Sequence, residues 1–159
     1  MTTLSIIILN HNTSKLLQRA LSSIKSSLSA EVIVVDNAST DDSLAMIDKH
    51  FPKVKKIIST KNLGFAAGNN LGLKQARGKY LMLLNSDTKI IKNSLETLIT
   101  YLEDHPKVGI VGPKLLLPDG AIDLACHRGF PTPTNSLAYF SHLESLFPES
   151  KLFFNWSGI

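Results

Sequence analysis

Four short apolar runs, each followed by a polar cluster and then by a stretch of helical periodicity, limit the folds open to this chain. Residues 4–9 read Leu-Ser-Ile-Ile-Ile-Leu, residues 31–36 Glu-Val-Ile-Val-Val-Asp, residues 55–58 Lys-Lys-Ile-Ile, and residues 80–85 Tyr-Leu-Met-Leu-Leu-Asn. Aliphatic runs of this length suit strands covered on both faces, as in a parallel sheet. Helical patterns lie between them. Thr13 or Ser14 can cap a first helix in which Leu16, Leu17, Ala20, Leu21 and Ile24 share a face, ending near Ser27. Thr40, Asp41 and Asp42 begin a second helix that stops before Pro52, and residues 65–76 form a third, closed by Gly78. Asn93 or Ser94 caps a fourth, which runs to about His105 and is ended by Pro106, with a fifth strand expected at residues 108–111. Strands alternating with helices predict an α/β layered sandwich around a mostly parallel central sheet.

The regular pattern weakens after Lys114. Pro118, Asp119 and Gly120 signal a turn between short apolar runs, residues 130–133 (Phe-Pro-Thr-Pro) read as extended rather than helical, and residues 136–147 suit one amphipathic helix. At 159 residues the chain has single-domain size and enough apolar residues for a real core. Its formal charge of +4 is modest and the basic residues are dispersed in sequence, which argues against nucleic acid as the partner. The same charge suits contact with an anionic membrane surface or a diphosphate. One cysteine, Cys126, excludes an internal disulfide framework and a cysteine metal cluster, and fits a cytoplasmic setting. The first nine residues lack a basic leader and read as a strand rather than a signal peptide. No apolar stretch approaches the ~18 residues needed to cross a bilayer, so the expected membrane contact is peripheral, at the inner face.

Ligands of open α/β sheets bind outside the carboxyl ends of the strands. There the chain offers Asn10, His11 and Asn12 after the first run, and Asp36, Asn37, Ala38 and Ser39 after the second. Asn62, Leu63 and Gly64 follow the third, and Asn85, Ser86, Asp87 and Thr88 the fourth. The first strand-to-helix turn lacks the glycines of a dinucleotide fingerprint, and the chain has no phosphate-cradling Gly-x-x-x-x-Gly-Lys motif. Asp36, at the mouth of the sheet, can accept hydrogen bonds from the N–H of a base or from ribose hydroxyls. Asp36 with Asn37 also makes a good Asx turn before a helix, and the two readings stand at even weight. Asp87 lies where a divalent ion can bridge protein and diphosphate oxygens; Mg2+ or Mn2+ would keep several waters and take further oxygens from the phosphates. Gly64, Gly68 and Gly72 fall on one face of the third helix, although each interior glycine costs ~1 kcal/mol relative to alanine. Either that face packs tightly on the sheet or a ligand approaches its backbone. Neighbouring Asn69 and Asn70 favour the ligand.

Taken in order, residues 5–13 (Ser-Ile-Ile-Ile-Leu-Asn-His-Asn-Thr), 34–41 (Val-Val-Asp-Asn-Ala-Ser-Thr-Asp), 62–70 (Asn-Leu-Gly-Phe-Ala-Ala-Gly-Asn-Asn) and 83–88 (Leu-Leu-Asn-Ser-Asp-Thr) resemble family-2 glycosyltransferases. Residues 111–120 and 128–133 look like the rhamnosyltransferase-type branch, so the likeness covers about four-fifths of the chain. It implies a GT-A fold, a three-layer Rossmann-like sandwich, with residues 1–133 forming a nucleotide-sugar-binding domain. Residues 134–159 would then be an extension beginning an incomplete acceptor-side region. It further implies that Asp36 holds the base and that Asp87 is the metal-binding aspartate of a D-x-D motif whose first position is here Asn85. Asn10 and Asn12 would border the nucleotide pocket, Asn37 and Gly64 would belong to the same binding set, and Asn69 would face the diphosphate or ribose.

The implied reaction is inverting transfer of a sugar, such as rhamnose, from a dTDP- or UDP-linked donor to a glycan or lipid-linked acceptor of a cell-surface polysaccharide. Inversion needs a base to take the acceptor's proton. Family members carry that carboxylate in a later Glu-Asp motif, and Asp119, Asp123, Glu144 and Glu149 match no such motif, so no base is nominated. The competing expectation is a truncated or split binding module that does not turn over alone, paired with a second copy or a complementing chain.

Overall fold

The computed structural model describes residues 2–123, 126 and 133–141. Strands β1 (Leu4–Asn10), β2 (Ala30–Asn37), β3 (Lys55–Ser59) and β4 (Tyr80–Asn85) form one sheet in the order β3-β2-β1-β4, with every pairing parallel. Helices α1 (Ser14–Ser23), α2 (Ser43–His50), α3 (Gly64–Gln75) and α4 (Ser94–Asp104) connect or follow them, and α5 spans Pro133–Phe140. The fold is α/β, as expected. By packing, the chain divides into two compact units, residues 1–109 and 110–159.

In the first unit β1 lies between β2 and β4, which is why its run is apolar on both faces. Leu4, Ile6 and Ile8 meet Val34, Leu84, Leu17 and Leu21 of α1, Met46 and Ile47 of α2, and Leu95 and Ile99 of α4 in a single buried cluster. On the other face Ile7 and Leu9 meet α3. The register pairs Ile7 with Leu83 and Ser5 with Leu81, so the exposed Leu81 and Leu83 lie on the α3 side of β4, beyond the strands that α3 covers.

A half-buried carboxylate fastens the end of the sheet opposite the strand carboxyl termini. Glu31 accepts hydrogen bonds from Ser5 Oγ (2.6 Å) and the Arg77 amide (2.7 Å) and pairs with Lys55. Burial pushes its pKa up, but the Lys55 ammonium, the Ser5 hydroxyl and the Arg77 amide outweigh that and lower it from 4.5 to about 2. Ser5 Oγ also accepts from the Gly78 amide at 2.8 Å. A side chain at Gly78 would strike the Ser5 nitrogen at 2.5 Å and the Leu4 carbonyl carbon at 2.7 Å, so glycine is needed there for backbone approach.

Several boundaries depart from the sequence reading. Helix α1 ends at Ser23, not Ser27, because Ile24 leaves helical geometry (ψ 89°) while Ser23 Oγ donates to the Ala20 carbonyl and accepts from the Ile90 amide. Neither Thr13 nor Asn93 caps its helix with its side chain, and Asn93 instead adopts a left-handed φ of 66°. Residues 108–111 form no strand, since no described segment supplies a ladder partner, and Ile110 is exposed. In the second unit the turn at residues 118–120 is present. Leu116 bridges Ile122 antiparallel, the Gly120 amide donates to the Leu117 carbonyl, and Gly120 takes a φ of +87°. Of residues 130–133, read as extended, the first three lie outside the described residues; Pro133 opens α5 instead, because proline is compatible with a first helical turn whose amides have no intrahelical acceptor. The rest of the helix expected at residues 136–147 lies outside the described residues after 141.

Candidate functional site at the carboxyl rim of the sheet

The register places the polar clusters. Asn10 stands opposite Asp36 and Leu9 opposite Asn85, so Asp36, next to last in β2, and Asp87, two residues after β4, come to the same rim. One strand separates them, so the strands that lead to them lie about 10 Å apart by strand spacing. A groove on the flank, between α3 and the β2–β3 edge, is lined by Ile33, Lys55, Ile57, Leu71 and Lys74 and lies away from this rim.

Asp36 is 1% exposed and both of its oxygens are engaged. Oδ1 accepts from Asn10 Nδ2 at 3.0 Å, and Oδ2 accepts from the Ser39 amide at 3.0 Å. The second contact reaches the amide three residues on, not two as in an Asx turn, so it is a local loop bond of a different kind; each oxygen retains a further lone pair. Asn10, fully buried, also donates to Ser39 Oγ at 3.0 Å and accepts from Thr13 Oγ1 at 2.7 Å. Asn12, with a φ of 54°, accepts the Thr40 amide at 2.7 Å, and its own amide donates to Ser39 Oγ. Ala38 is held at a φ of 62°, a conformation costing roughly 1–2 kcal/mol in a residue with a Cβ. The loops after β1 and β2 are therefore one hydrogen-bonded body.

Asn37 ties in the third loop. Its Nδ2 donates to Asn62 Oδ1 at 2.8 Å and its Oδ1 accepts from the Leu63 amide at 2.8 Å, while Asn62 Oδ1 takes the Gly64 amide at 2.9 Å. Gly64 starts α3 with a φ of 75° and open space where a Cβ would stand, so conformation rather than crowding selects glycine. Asn69 is buried and its Nδ2 donates to the Phe65 carbonyl at 2.9 Å. Gly68 and Gly72 resolve in favour of packing over ligand approach. A Cβ on Gly68 would overlap Leu9, and one on Gly72 would overlap Ile7 and stand 3.1 Å from Val35.

Asp87 contrasts with Asp36. It is exposed, and its carboxylate makes no hydrogen bond or ion pair among the described residues. A turn carries it: the Thr88 amide donates to the Asn85 carbonyl at 3.1 Å, and the half-buried Ser86 meets Thr13 Oγ1 at 2.9 Å. An open hard-oxygen donor of this kind fits a divalent ion that keeps most of its waters and shares phosphate oxygens. No group of three or more His, Cys, Asp or Glu among the described residues forms a complete protein cage.

Sequence reasoning missed the work of Thr13, Ser39, Ser86 and Asp41. Asp41 Oδ2 accepts from the Ser14 amide at 2.9 Å and Oδ1 from the Ser43 amide at 3.0 Å, so one carboxylate serves the starts of α1 and α2. Burial raises its pKa, and the Ser43 hydroxyl with the two amides more than offsets this and lowers it. An acidic residue before the second helix was visible; its reach to the first was not.

The glycosyl transferase family 2 model matches residues 5–118. The O-antigen biosynthesis protein RfbC of Myxococcus xanthus is 35% identical over 98 residues, covering 60% of this chain and 8% of RfbC. The poly(ribitol-phosphate) beta-N-acetylglucosaminyltransferase TarS of Staphylococcus aureus is 30% identical over 108 residues, 64% of this chain and 19% of TarS. The crystal structure of TarS residues 1–349 with UDP-GlcNAc superposes with a TM-score of 0.58 at 28% identity, over 66% of this chain and 32% of that one. The mannosyltransferase PcManGT of Pyrobaculum calidifontis, in complex with GDP-Man and Mn2+, has a TM-score of 0.57 at 23% identity, over 64% of this chain and 32% of that one, a likeness of fold. The chain thus spans about a third or less of these relatives, and with residues 5–118 matched across the whole rim just described, it belongs to glycosyl transferase family 2.

Proposed function

We propose that the chain is the donor-binding part of an inverting glycosyltransferase that takes a nucleoside-diphosphate sugar, dTDP- or UDP-linked, for transfer to a glycan or lipid-linked acceptor. The observation that carries this reading is the pair of unlike carboxylates on one rim, Asp36 buried and hydrogen-bonded, Asp87 exposed and open. Asp36, held by Asn10 and Ser39, presents fixed acceptor lone pairs toward the base or ribose, with Asn12, Asn37, Gly64 and Asn69 shaping the surrounding loops. Asp87 would hold Mg2+ or Mn2+. When bound, that ion neutralises charge developing on the leaving nucleoside diphosphate. The binding of UDP-GlcNAc by TarS and the O-antigen role in the name of RfbC support a nucleotide-sugar donor and a cell-surface glycan product. Rhamnose as the sugar rests on the likeness of residues 111–120 and 128–133 to that branch. No helix among the described residues is long and apolar enough to cross a membrane. The setting we propose is cytoplasmic, at the inner membrane face where lipid-linked acceptors lie.

Calorimetric titration of the chain with UDP and dTDP, with and without Mn2+, tests this. Saturable binding strengthened by Mn2+ is expected, and Asp87→Ala should weaken binding in Mn2+ by about tenfold or more, roughly 1.4 kcal/mol. If neither nucleotide binds the wild-type chain, or if Asp87→Ala leaves the effect of Mn2+ unchanged, the reading fails. Donor turnover, assayed separately, decides between an active enzyme and a binding module.

A further inference from the structure

We propose that Thr13 is a positioning residue: with Ser86 it forms a hydrogen-bonded strut by which the nucleoside-holding carboxylate of Asp36 sets the place of Asp87. The inference rests on the donor-binding reading above. The chain of contacts runs Asp36 Oδ1 to Asn10 Nδ2 (3.0 Å), Asn10 Oδ1 to Thr13 Oγ1 (2.7 Å), and Thr13 Oγ1 to Ser86 Oγ (2.9 Å). Its polarity is fixed from one end. A carboxylate only accepts, so Asn10 donates with its amide nitrogen and has only its oxygen left for Thr13. Thr13 therefore gives its one proton to Asn10 and accepts from Ser86.

Two further features set Thr13 apart from an ordinary helix cap. It occupies the N-cap position of α1, where threonine usually accepts a backbone amide, yet it makes no side-chain capping bond. Its hydroxyl is turned instead to Asn10 and Ser86, while the first amide of the helix, that of Ser14, is taken by Asp41 from the loop before α2. The strut also joins residues 73 apart in sequence and ends at the half-buried Ser86, between exposed Asn85 and Asp87. Moving Ser86 moves Asp87. Asn10 donates to both Asp36 and Ser39, so a displacement at the nucleoside end is passed through a buried amide to the metal end. The predicted property is coupling: a correctly seated nucleoside improves the position of the metal-binding carboxylate.

The test is the factor by which Mn2+ strengthens UDP binding, measured by calorimetry on wild type, Thr13→Val, Thr13→Ser and Ser86→Ala, with uridine binding and thermal melting recorded alongside. Thr13→Val keeps the shape and removes the hydroxyl. It should lower the Mn2+ factor by three- to tenfold, the equivalent of about one hydrogen bond, while uridine affinity stays within about twofold. Thr13→Ser should restore the factor, and Ser86→Ala should reproduce the Thr13→Val loss, with the Thr13→Val/Ser86→Ala double variant no worse than either alone. Should Thr13→Val not fold, Ser86→Ala carries the comparison. An unchanged Mn2+ factor in the foldable variants, or a loss that Thr13→Ser does not restore, overturns the strut while leaving donor binding intact. A wild-type chain that binds no UDP overturns the donor-binding reading itself and the strut with it.

Discussion

Replacing Gly72 by alanine adds one methyl group where α3 lies hardest on the sheet, and so measures whether the glycine face of that helix serves packing. The new Cβ would overlap Ile7 Cγ2 and stand 3.1 Å from Val35 Cγ2, and both neighbours are fully buried, β-branched residues of the central strands. Overpacking of this kind costs about 1–3 kcal/mol. The gain in helix propensity from glycine to alanine returns about 1 kcal/mol. The net loss of about 1 kcal/mol corresponds to a Tm lowered by roughly 4–8 °C in a unit near 100 residues. At Gly68 the overlap is with the end of Leu9, a flexible and only half-buried side chain that can turn aside, so Gly68→Ala should leave Tm within about 3 °C. At Gly78 the obstacles are backbone atoms of β1, and alanine there should cost more than about 3 kcal/mol. Thermal melting followed by circular dichroism reads the order, Gly68→Ala mildest and Gly78→Ala most severe. A Gly72→Ala chain with unchanged Tm but UDP affinity reduced tenfold would refute the packing argument and reinstate a ligand against that face.

Two further changes test the polar framework. Glu31→Gln should destabilise the chain at pH 7 and lose that effect in acid. Glu31 has a folded pKa of about 2 against an ordinary 4.5, so its contribution is fully present above about pH 5 and fades as pH falls toward 2. The fall in pKa is worth at most roughly 3 kcal/mol. Screening of the exposed Lys55 end, 46% accessible, reduces this to about 1–2 kcal/mol. Urea denaturation from pH 7 to 2.5 should show the wild-type and variant curves converging in acid, and a constant gap would contradict the assignment. Glu96, held at about pKa 2 by the Ser26 hydroxyl and the Ser27 amide, titrates in the same direction and is common to both proteins. Asp41→Ala should cost about 1–2 kcal/mol by uncovering the starts of α1 and α2 together. Asp41→Asn should recover part of that loss, and equal losses in the two variants would show that the capping contacts are not the source.

The alternation of elements, the parallel sheet and the family were legible in the chain because they depend on local signals. The runs that became β1, β2 and β4 are largely apolar on both faces, the short β3 contributes only Ile57 and Ile58, and the intervening helices repeat their apolar residues every three to four positions. Asn10, Asp36 and Asp87 were also legible, since each lies within three residues of the last apolar residue of such a run. The strand order β3-β2-β1-β4 was not, and it decides which polar ends meet. Only with β1 in the middle can Asn10 lie beside Asp36 on one side while the loop after β1 reaches Ser86 on the other. Partners 26 to 73 residues apart leave no periodic trace. For the same reason sequence offered Thr13 or Ser14 as the cap of its own helix, whereas in the fold the Thr13 hydroxyl bonds Asn10 and Ser86 and the Ser14 amide goes to Asp41. It also made residues 108–111 a strand, although an apolar run needs a neighbouring ladder to become one. Hydrophobic period is a property of a segment; a hydrogen-bond partner is a property of the assembled sheet.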